Sequence, residues 1–180
     1  MYTAGMAAAF ICLALLFIAF VRKAKGGGKG NAAVKSMLEK LGKDYAVFSD
    51  VVVPAQHGMS HIDFVLVSPY GVFVVDVKHE GGKISGDLND REWEVGGNET
   101  IYNPVWRNRT HLNGLEKLLG EMSYISLVVF VNGRLKGDFG SNVVELSQMK
   151  AFIKKYQRET LPFDRLEAAR KLLESGLLDG

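Results

Sequence analysis

The chain of 180 residues contains one cysteine, Cys12. A single thiol excludes an internal disulfide, and with it a disulfide partner within the chain, as well as any cysteine-rich zinc site. Cys12 lies inside an apolar run, where it reads as a small hydrophobe. A strong charge of either sign is also missing. The net charge of +2 is too small to argue by itself for nucleic acid. No internal repeat is visible. Residues 1–21 carry no charge at all, and no basic residue precedes their apolar stretch as it would in a secretory signal. That stretch is long enough to cross a bilayer. The basic residues come after it, as Arg22, Lys23, Lys25 and Lys29. The positive-inside rule then puts the N-terminus outside and the rest in the cytoplasm, a single-pass arrangement in the cell membrane. The lack of a disulfide framework fits a reducing compartment.

Beyond the apolar stretch the chain is patterned for a folded domain. Residues 22–30 form a basic, Gly-rich tether. Val34, Met37, Leu38 and Leu41 have helical spacing within Asn31 to Leu41, and Gly42 is a stop signal. Tyr45 to Pro54 reads as a strand closed by proline, with a loop from Ala55 to Ser60. A short strand is expected around Ile84, and another over Arg91 to Val95 before the turn Gly96-Gly97-Asn98. Tyr102-Asn103-Pro104 reads as the entry to a helix over Val105 to Leu119. Its buried stripe is expected to be Leu112, Leu115, Leu118 and Leu119, and its polar part Arg107, Arg109, His111 and Lys117. Ile125 to Val131 has the continuous apolar pattern of a strand buried on both faces, with Asn132-Gly133 as a turn. Val143 to Leu146 suits an edge strand. Ser147 is a candidate N-cap for a helix through Met149, Phe152, Ile153 and Tyr156. Pro162 opens a last helix with Leu166, Ala169 and Leu172, and the tail after Gly176 is expected to fray. This order predicts an α/β fold, a central mixed sheet flanked by helices. The divisions are a transmembrane helix (1–21), the tether (22–30), one domain (31–146) and a C-terminal helical segment (147–180).

The chemistry concentrates between His61 and His79. Two runs rich in Val, Ile and Phe flank Ser68-Pro69-Tyr70-Gly71, which is turn chemistry, so a β-hairpin is predicted. A four-residue loop sets Val67 opposite Val72, Asp63 opposite Asp76 and His61 opposite Lys78. Alternation then places those four polar residues on one face and Ile62, Phe64 and Leu66 on the other, with Phe73, Val75 and Val77. Two carboxylates facing each other across a strand pair repel. They need a cation, a shared proton or open solvent with Lys78 as partner, and a divalent metal with oxygen ligands is one answer. Basic residues near the start of the helix, beside such a site, suit a phosphate backbone or an ordinary solvated helix face.

From Gly30 to Val131 the chain resembles the nuclease-related domain (NERD) family of the PD-(D/E)XK nuclease superfamily. His61-Ile62-Asp63 is similar to its Gln-Ile-Asp, and Ser68 to Phe73 to its hairpin turn. Asp76-Val77-Lys78 is similar to its acidic-x-Lys signature. Gly82 to Gly86, Trp93, Asn103-Pro104 and His111 come in the family's order. The resemblance implies a restriction-endonuclease-like core. It implies Asp63 and Asp76 as Mg²⁺ (or Mn²⁺) ligands with the Val77 carbonyl as a third, and Lys78 as the group that orients water and balances phosphate charge. Asn31 and His61 would support them, and the reaction would be phosphodiester hydrolysis of DNA or RNA. Three positions differ from the family: His61 stands for the Gln of Gln-Ile-Asp, Asn31 for a Glu that helps hold metal, and Arg107 for a Gln that often follows Asn-Pro. Asn31 brings no negative charge, so metal affinity is expected to fall. Two alternatives stay open: a catalytically weak or inactive nucleic-acid-binding or scaffold module, and a domain that meets a protein partner with a merely structural acidic pair.

Overall fold

The central hairpin pairs in the register that its turn chemistry predicts. In the computed structural model, which describes residues 28–176, strands β2 (Met59–Ser68) and β3 (Gly71–Asp87) are antiparallel with Val67 opposite Val72. Ser68 and Gly71 also pair, and the Ser68 hydroxyl donates to the Gly71 carbonyl at 2.9 Å. The loop is therefore Pro69 and Tyr70 alone, shorter than expected. Strand β1 (Ala46–Pro54) lies antiparallel along the outer side of β2.

Strand β6 (Tyr124–Asp138) runs parallel along the other side of β3, and β7 (Val143–Glu145) runs parallel to β6. Strands β4 (Glu92–Val95) and β5 (Glu99–Tyr102) form a hairpin joined to the far end of β3. The sheet is mixed, with seven strands among the described residues. Helices α1 (residues 28–39) and α3 (Leu146–Ile153) cover one face. Val34, Leu38, Met149, Phe152 and Ile153 pack there on Phe64, Leu66, Phe73 and Val75. Helices α2 (Pro104–Leu119) and α4 (Phe163–Gly176) cover the other, through Leu115, Leu119, Leu166, Ala169 and Leu173 on Val65, Val67, Val72 and Val74. Residues 1–27 and 177–180 lie outside the described part, and with them the expected membrane span, most of the tether and the C-terminal tail. No helix among the described residues is long and apolar enough to cross a membrane.

Four local expectations change. The strand expected around Ile84 is the second half of β3, which continues through Gly81-Gly82 with a register shift between Lys78 and Gly81. Asn132-Gly133 does not turn the chain. It lies beside Gly81-Gly82 inside the parallel ladder, so each pair supplies the other's backbone hydrogen bonds. Ser147 is not the cap of α3. Glu145 is, in a capping box with Gln148. Leu118 and Leu172 are half exposed, and Leu173 is buried instead.

The seating of α2 on β1 depends on one residue without a side chain. A Cβ on Gly114 would stand 2.5 Å from the Pro54 carbonyl oxygen and 2.7 Å from Val53. Backbone cannot yield there, so Gly114→Ala must push the helix away. The substitution should gain about 1 kcal/mol of helix propensity and still destabilise the domain by about 1–3 kcal/mol. Urea unfolding checks this, and a variant as stable as the parent would show that α2 is not seated so closely.

Candidate active site at the fork between two strands

The site forms where β2 parts from β3. Their ladder ends at Phe64 opposite Val75. At the same level the β1–β2 ladder skips one rung: Ser49 pairs with Phe64 and Val51 with Ile62, but Asp50 and Asp63 do not pair. Asp50 has φ of 56°, a left-handed conformation that disfavours most side chains and that Asp tolerates better. The irregularity breaks the alternation of β2. Ile62 packs with the cluster of Val65 and Val67, while Phe64 packs with that of Leu66. The expected grouping of Ile62 with Phe64 and Leu66 is therefore corrected, and so is the one-face arrangement of the four polar residues.

Asp63 stands in the fork. Its Oδ2 accepts a hydrogen bond from the Val77 N–H at 2.7 Å, so the carboxylate takes the place of the next strand rung. Asp76 and Lys78 continue the alternation of Val72 and Val74, which points them toward α2. They are 4% and 9% exposed. Lys78 Nζ lies 2.8 Å from Asp76 Oδ2. The ion pair is not aligned as a hydrogen bond, and this buried oxygen has no hydrogen-bond partner. Asp63 is pushed above the ordinary carboxylate range, mainly by burial and also by the Asp76 charge. The Val77 N–H, the Lys78 ammonium and the Asn31 amide act against that rise.

Two helices close the fork from opposite faces. From α1, Asn31 reaches Asp63 and also places its Oδ1 2.9 Å from His79 Nε2. With His79 Nε2–H donating to the amide oxygen, the amide NH₂ is the end that favours the Asp63 charge. Gly30 makes room for this, since a Cβ there would lie 2.5 Å from the His79 ring. From the other face, α2 begins at Asn103, whose Oδ1 accepts from the Val105 N–H at 3.0 Å. Its amide donates to the carbonyls of Leu88 and Asp90 at 2.9 and 2.7 Å, which pins the helix start to the preceding loop. One turn on, the buried Asn108 donates to the Val74 carbonyl at 3.0 Å and to the Ser126 hydroxyl at 2.9 Å. Its oxygen lies 3.1 Å from His111 Nδ1. With both amide hydrogens used, that oxygen accepts, so His111 carries its proton on Nδ1 and leaves Nε2 as a bare acceptor. Nε2 is buried and has no partner. Burial, then Arg107 and Lys78, lower the His111 pKa to about 4, against the pull of Asp63.

The remaining sites fall unevenly. Helical spacing puts His111 with the exposed basic residues of α2, but it is 1% exposed and belongs to the fork instead. Its Nδ1 finds a partner inside, in Asn108, which leucine spacing cannot reveal. Arg107, Arg109 and Lys117 are exposed on α2. His61 is exposed and pairs with Val52 of β1, and the β2–β3 ladder does not extend to bring it opposite Lys78. Asn108, Ser126 and His79 join the site without belonging to any motif in the sequence. The i, i+3 spacing of Asn108 and His111 on one helix face is the available signal.

Among the described residues no three His, Cys, Asp or Glu side chains gather as a metal cage. The donor set does fit a hard cation that retains water: two carboxylates, a nearby backbone carbonyl and a buried carboxylate oxygen without a hydrogen-bond partner.

A mixed sheet flanked by helices, with an acidic-x-Lys strand beside a second aspartate, is an α/β architecture consistent with a nuclease-like core. The family model of the nuclease-related domain, NERD, matches residues 26–131. The chain belongs to this family, within the PD-(D/E)XK-like nuclease superfamily. An uncharacterized protein of Bacillus anthracis is 33% identical over 110 residues, which cover 58% of this chain and 52% of that protein. The chain thus spans about half the length of that relative. No solved structure matches the chain.

Proposed function

We propose that this protein is a metal-dependent nuclease with a restriction-endonuclease-like core, held at the cytoplasmic face of the cell membrane by residues 1–21. The observation that carries the reading is the buried Asp76–Lys78 pair next to Asp63. Burying a carboxylate and an ammonium beside a second, partly buried carboxylate costs stability that apolar residues would not, so their presence points to chemistry. Asp63, Asp76 and the Val77 carbonyl would hold Mg²⁺ or Mn²⁺, which when bound polarises a phosphoryl oxygen and acidifies water. Lys78 balances charge on the phosphate and orients the attacking water. His111 Nε2, neutral at physiological pH, is available as a hydrogen-bond acceptor for that water or for the Lys78 ammonium. Arg107, beside His111, adds positive charge where the strand would enter.

The test is cleavage of single- and double-stranded DNA and RNA by the full chain with Mg²⁺ or Mn²⁺. Cleavage should vanish in EDTA and fall about a hundredfold or more in Lys78→Ala. Activity that ignores metal, or that is equal in Asp76→Asn and Lys78→Ala to that of the parent, would overturn the reading. One observation favours a second reading, a catalytically weak nucleic-acid-binding module. Asn31 holds its oxygen toward His79 rather than free for a cation. Salt-sensitive binding without cleavage, with cleavage restored in Asn31→Glu, would select it.

A further inference from the structure

The first turn of α2 and the strand before it carry two exposed aromatic rings that no core requires. Trp106 is 38% exposed and Tyr102, at the end of β5, is 52% exposed. Their ring centroids are 6.1 Å apart at an interplanar angle of 75°. The other tryptophan, Trp93, is fully buried with its indole N–H donated to the Asp87 carbonyl at 2.8 Å. Two rings packed against each other at the surface offer an apolar face that a flat partner can cover.

Their neighbours say which. Trp106, Arg109, Asn113 and Lys117 recur at i, i+3, i+7 and i+11, and all four are exposed. They make one stripe along α2, about 16 Å long at 1.5 Å per residue. The first turn of the helix contains no acidic residue, so its N-terminal dipole also favours an anion. On the strand side, the residue paired with Tyr102 is Glu92, whose carboxylate lies 3.5 Å from the Thr100 hydroxyl. Negative charge there directs a polyanion along the helix and away from the hairpin. The stripe lies on the solvent face of α2, opposite the buried Asn108 and His111; Arg107, next to Trp106 in the chain, is the basic residue between them, and its charge acts on His111. Trp106 precedes His111 by five residues, about 7.5 Å along the axis.

We infer that Tyr102 and Trp106 form a stacking platform for an unpaired base, with Arg109 and Lys117 taking the adjacent phosphates, so that the substrate is a single-stranded nucleic acid. This rests on the nuclease reading of the fork and adds strandedness to it. A base can stack on an exposed ring only when it is not stacked within a duplex, whereas phosphate contacts alone do not distinguish the two.

The experiment measures binding of the full chain, with Ca²⁺ to prevent cleavage, to a fluorescein-labelled oligothymidylate and to a duplex of equal length. Trp106→Ala and Tyr102→Ala should each weaken single-strand binding about tenfold and leave duplex binding unchanged, and Trp106→Phe should retain the parent's affinity. Arg109→Ala and Lys117→Ala should lower the salt slope by about one each. If Trp106→Ala leaves single-strand binding intact while Arg107→Ala or Arg109→Ala weakens both forms, the platform is wrong and the nuclease reading stands. If no nucleic acid binds at all, the nuclease reading fails first and the platform falls with it. If Trp106→Ala instead releases the chain from anionic vesicles and spares oligonucleotide binding, the rings belong to a membrane surface and the inference is overturned.

Discussion

Asp76→Asn is expected to destabilise the domain by about 3 kcal/mol while abolishing cleavage. Lys78 is 9% exposed, and the Asp76 carboxylate is the acid paired with it at 2.8 Å. Taking away that charge leaves the buried ammonium with only the neighbouring Asp63 carboxylate to offset it, and removing one partner of a buried pair typically costs about 3–5 kcal/mol. The lower end applies because the Asn oxygen can still accept a hydrogen bond from the ammonium. Replacing both partners gives the contrasting result. Asp76→Leu with Lys78→Met fills the same space with apolar atoms beneath α2, and such exchanges are often neutral or stabilising. The double variant should therefore lie within about 1 kcal/mol of the parent, or above it, and remain inactive. A double-mutant cycle on urea unfolding reads the coupling. A single variant as stable as the parent would mean that water reaches Lys78, and the burial argument for the site would fall.

The second large effect is a pH dependence of stability that belongs to His111. Its pKa is lowered from 6.5 to about 4, chiefly by burial and then by Arg107 and Lys78. The unfolded chain takes up this proton near pH 6.5 while the folded chain resists it until near pH 4. Stability is therefore intact above pH 6.5, is lost as pH falls through that window, and levels off below it. The full loss is roughly 3 kcal/mol, from about 2.5 pKa units at 1.36 kcal/mol each. Asp63 works with the opposite sign. Its raised pKa means that the folded chain binds a proton more readily than the unfolded one, so acidification relieves the cost of its buried charge. Comparing His111→Gln with the parent removes that shared contribution. In EDTA, unfolding free energies at about pH 7 and about pH 4.5 should differ by roughly 2–3 kcal/mol more in the parent than in the variant. Equal slopes would show that His111 is solvated and its Nε2 not held free.

How far the site can be read from residues alone differs from one member to the next. The Val67–Val72 register comes from turn chemistry at Ser68 to Gly71, and the acidic-x-Lys triplet stands in plain view on the strand that register defines. Helix α1 is legible from the spacing of Val34, Leu38 and Leu41, all buried. The elements that sequence patterns mistake have a common origin. Asn132-Gly133 looks like a turn, but it lies beside Gly81-Gly82 in a parallel ladder between strands some fifty residues apart. Strand β5 is likewise hidden, because its four residues gain a strand's hydrogen bonds only from β4. On α2, apolar spacing favours Leu118, which is half exposed, over Asn108 and His111, which are buried. The Val74 carbonyl and the Ser126 hydroxyl satisfy Asn108, and Asn108 satisfies the Nδ1 side of the His111 ring, while Nε2 keeps no partner.

By itself the sequence determined the residue types, the hairpin and its pairing, because local turn geometry and side-chain alternation act over a few residues. It also determined membership of the nuclease-related domain family, through an ordered series of short motifs. Only the tertiary structure decided where the charges sit. Asp63 leaves the expected face because Asp50 adopts a left-handed conformation and the neighbouring ladders break at that level. Asn31 is engaged by His79, which comes from a strand 48 residues away. His111 becomes a neutral acceptor through Asn108, which is itself fixed by β3 and β6. These are long-range contacts, and no pattern within a single element encodes them.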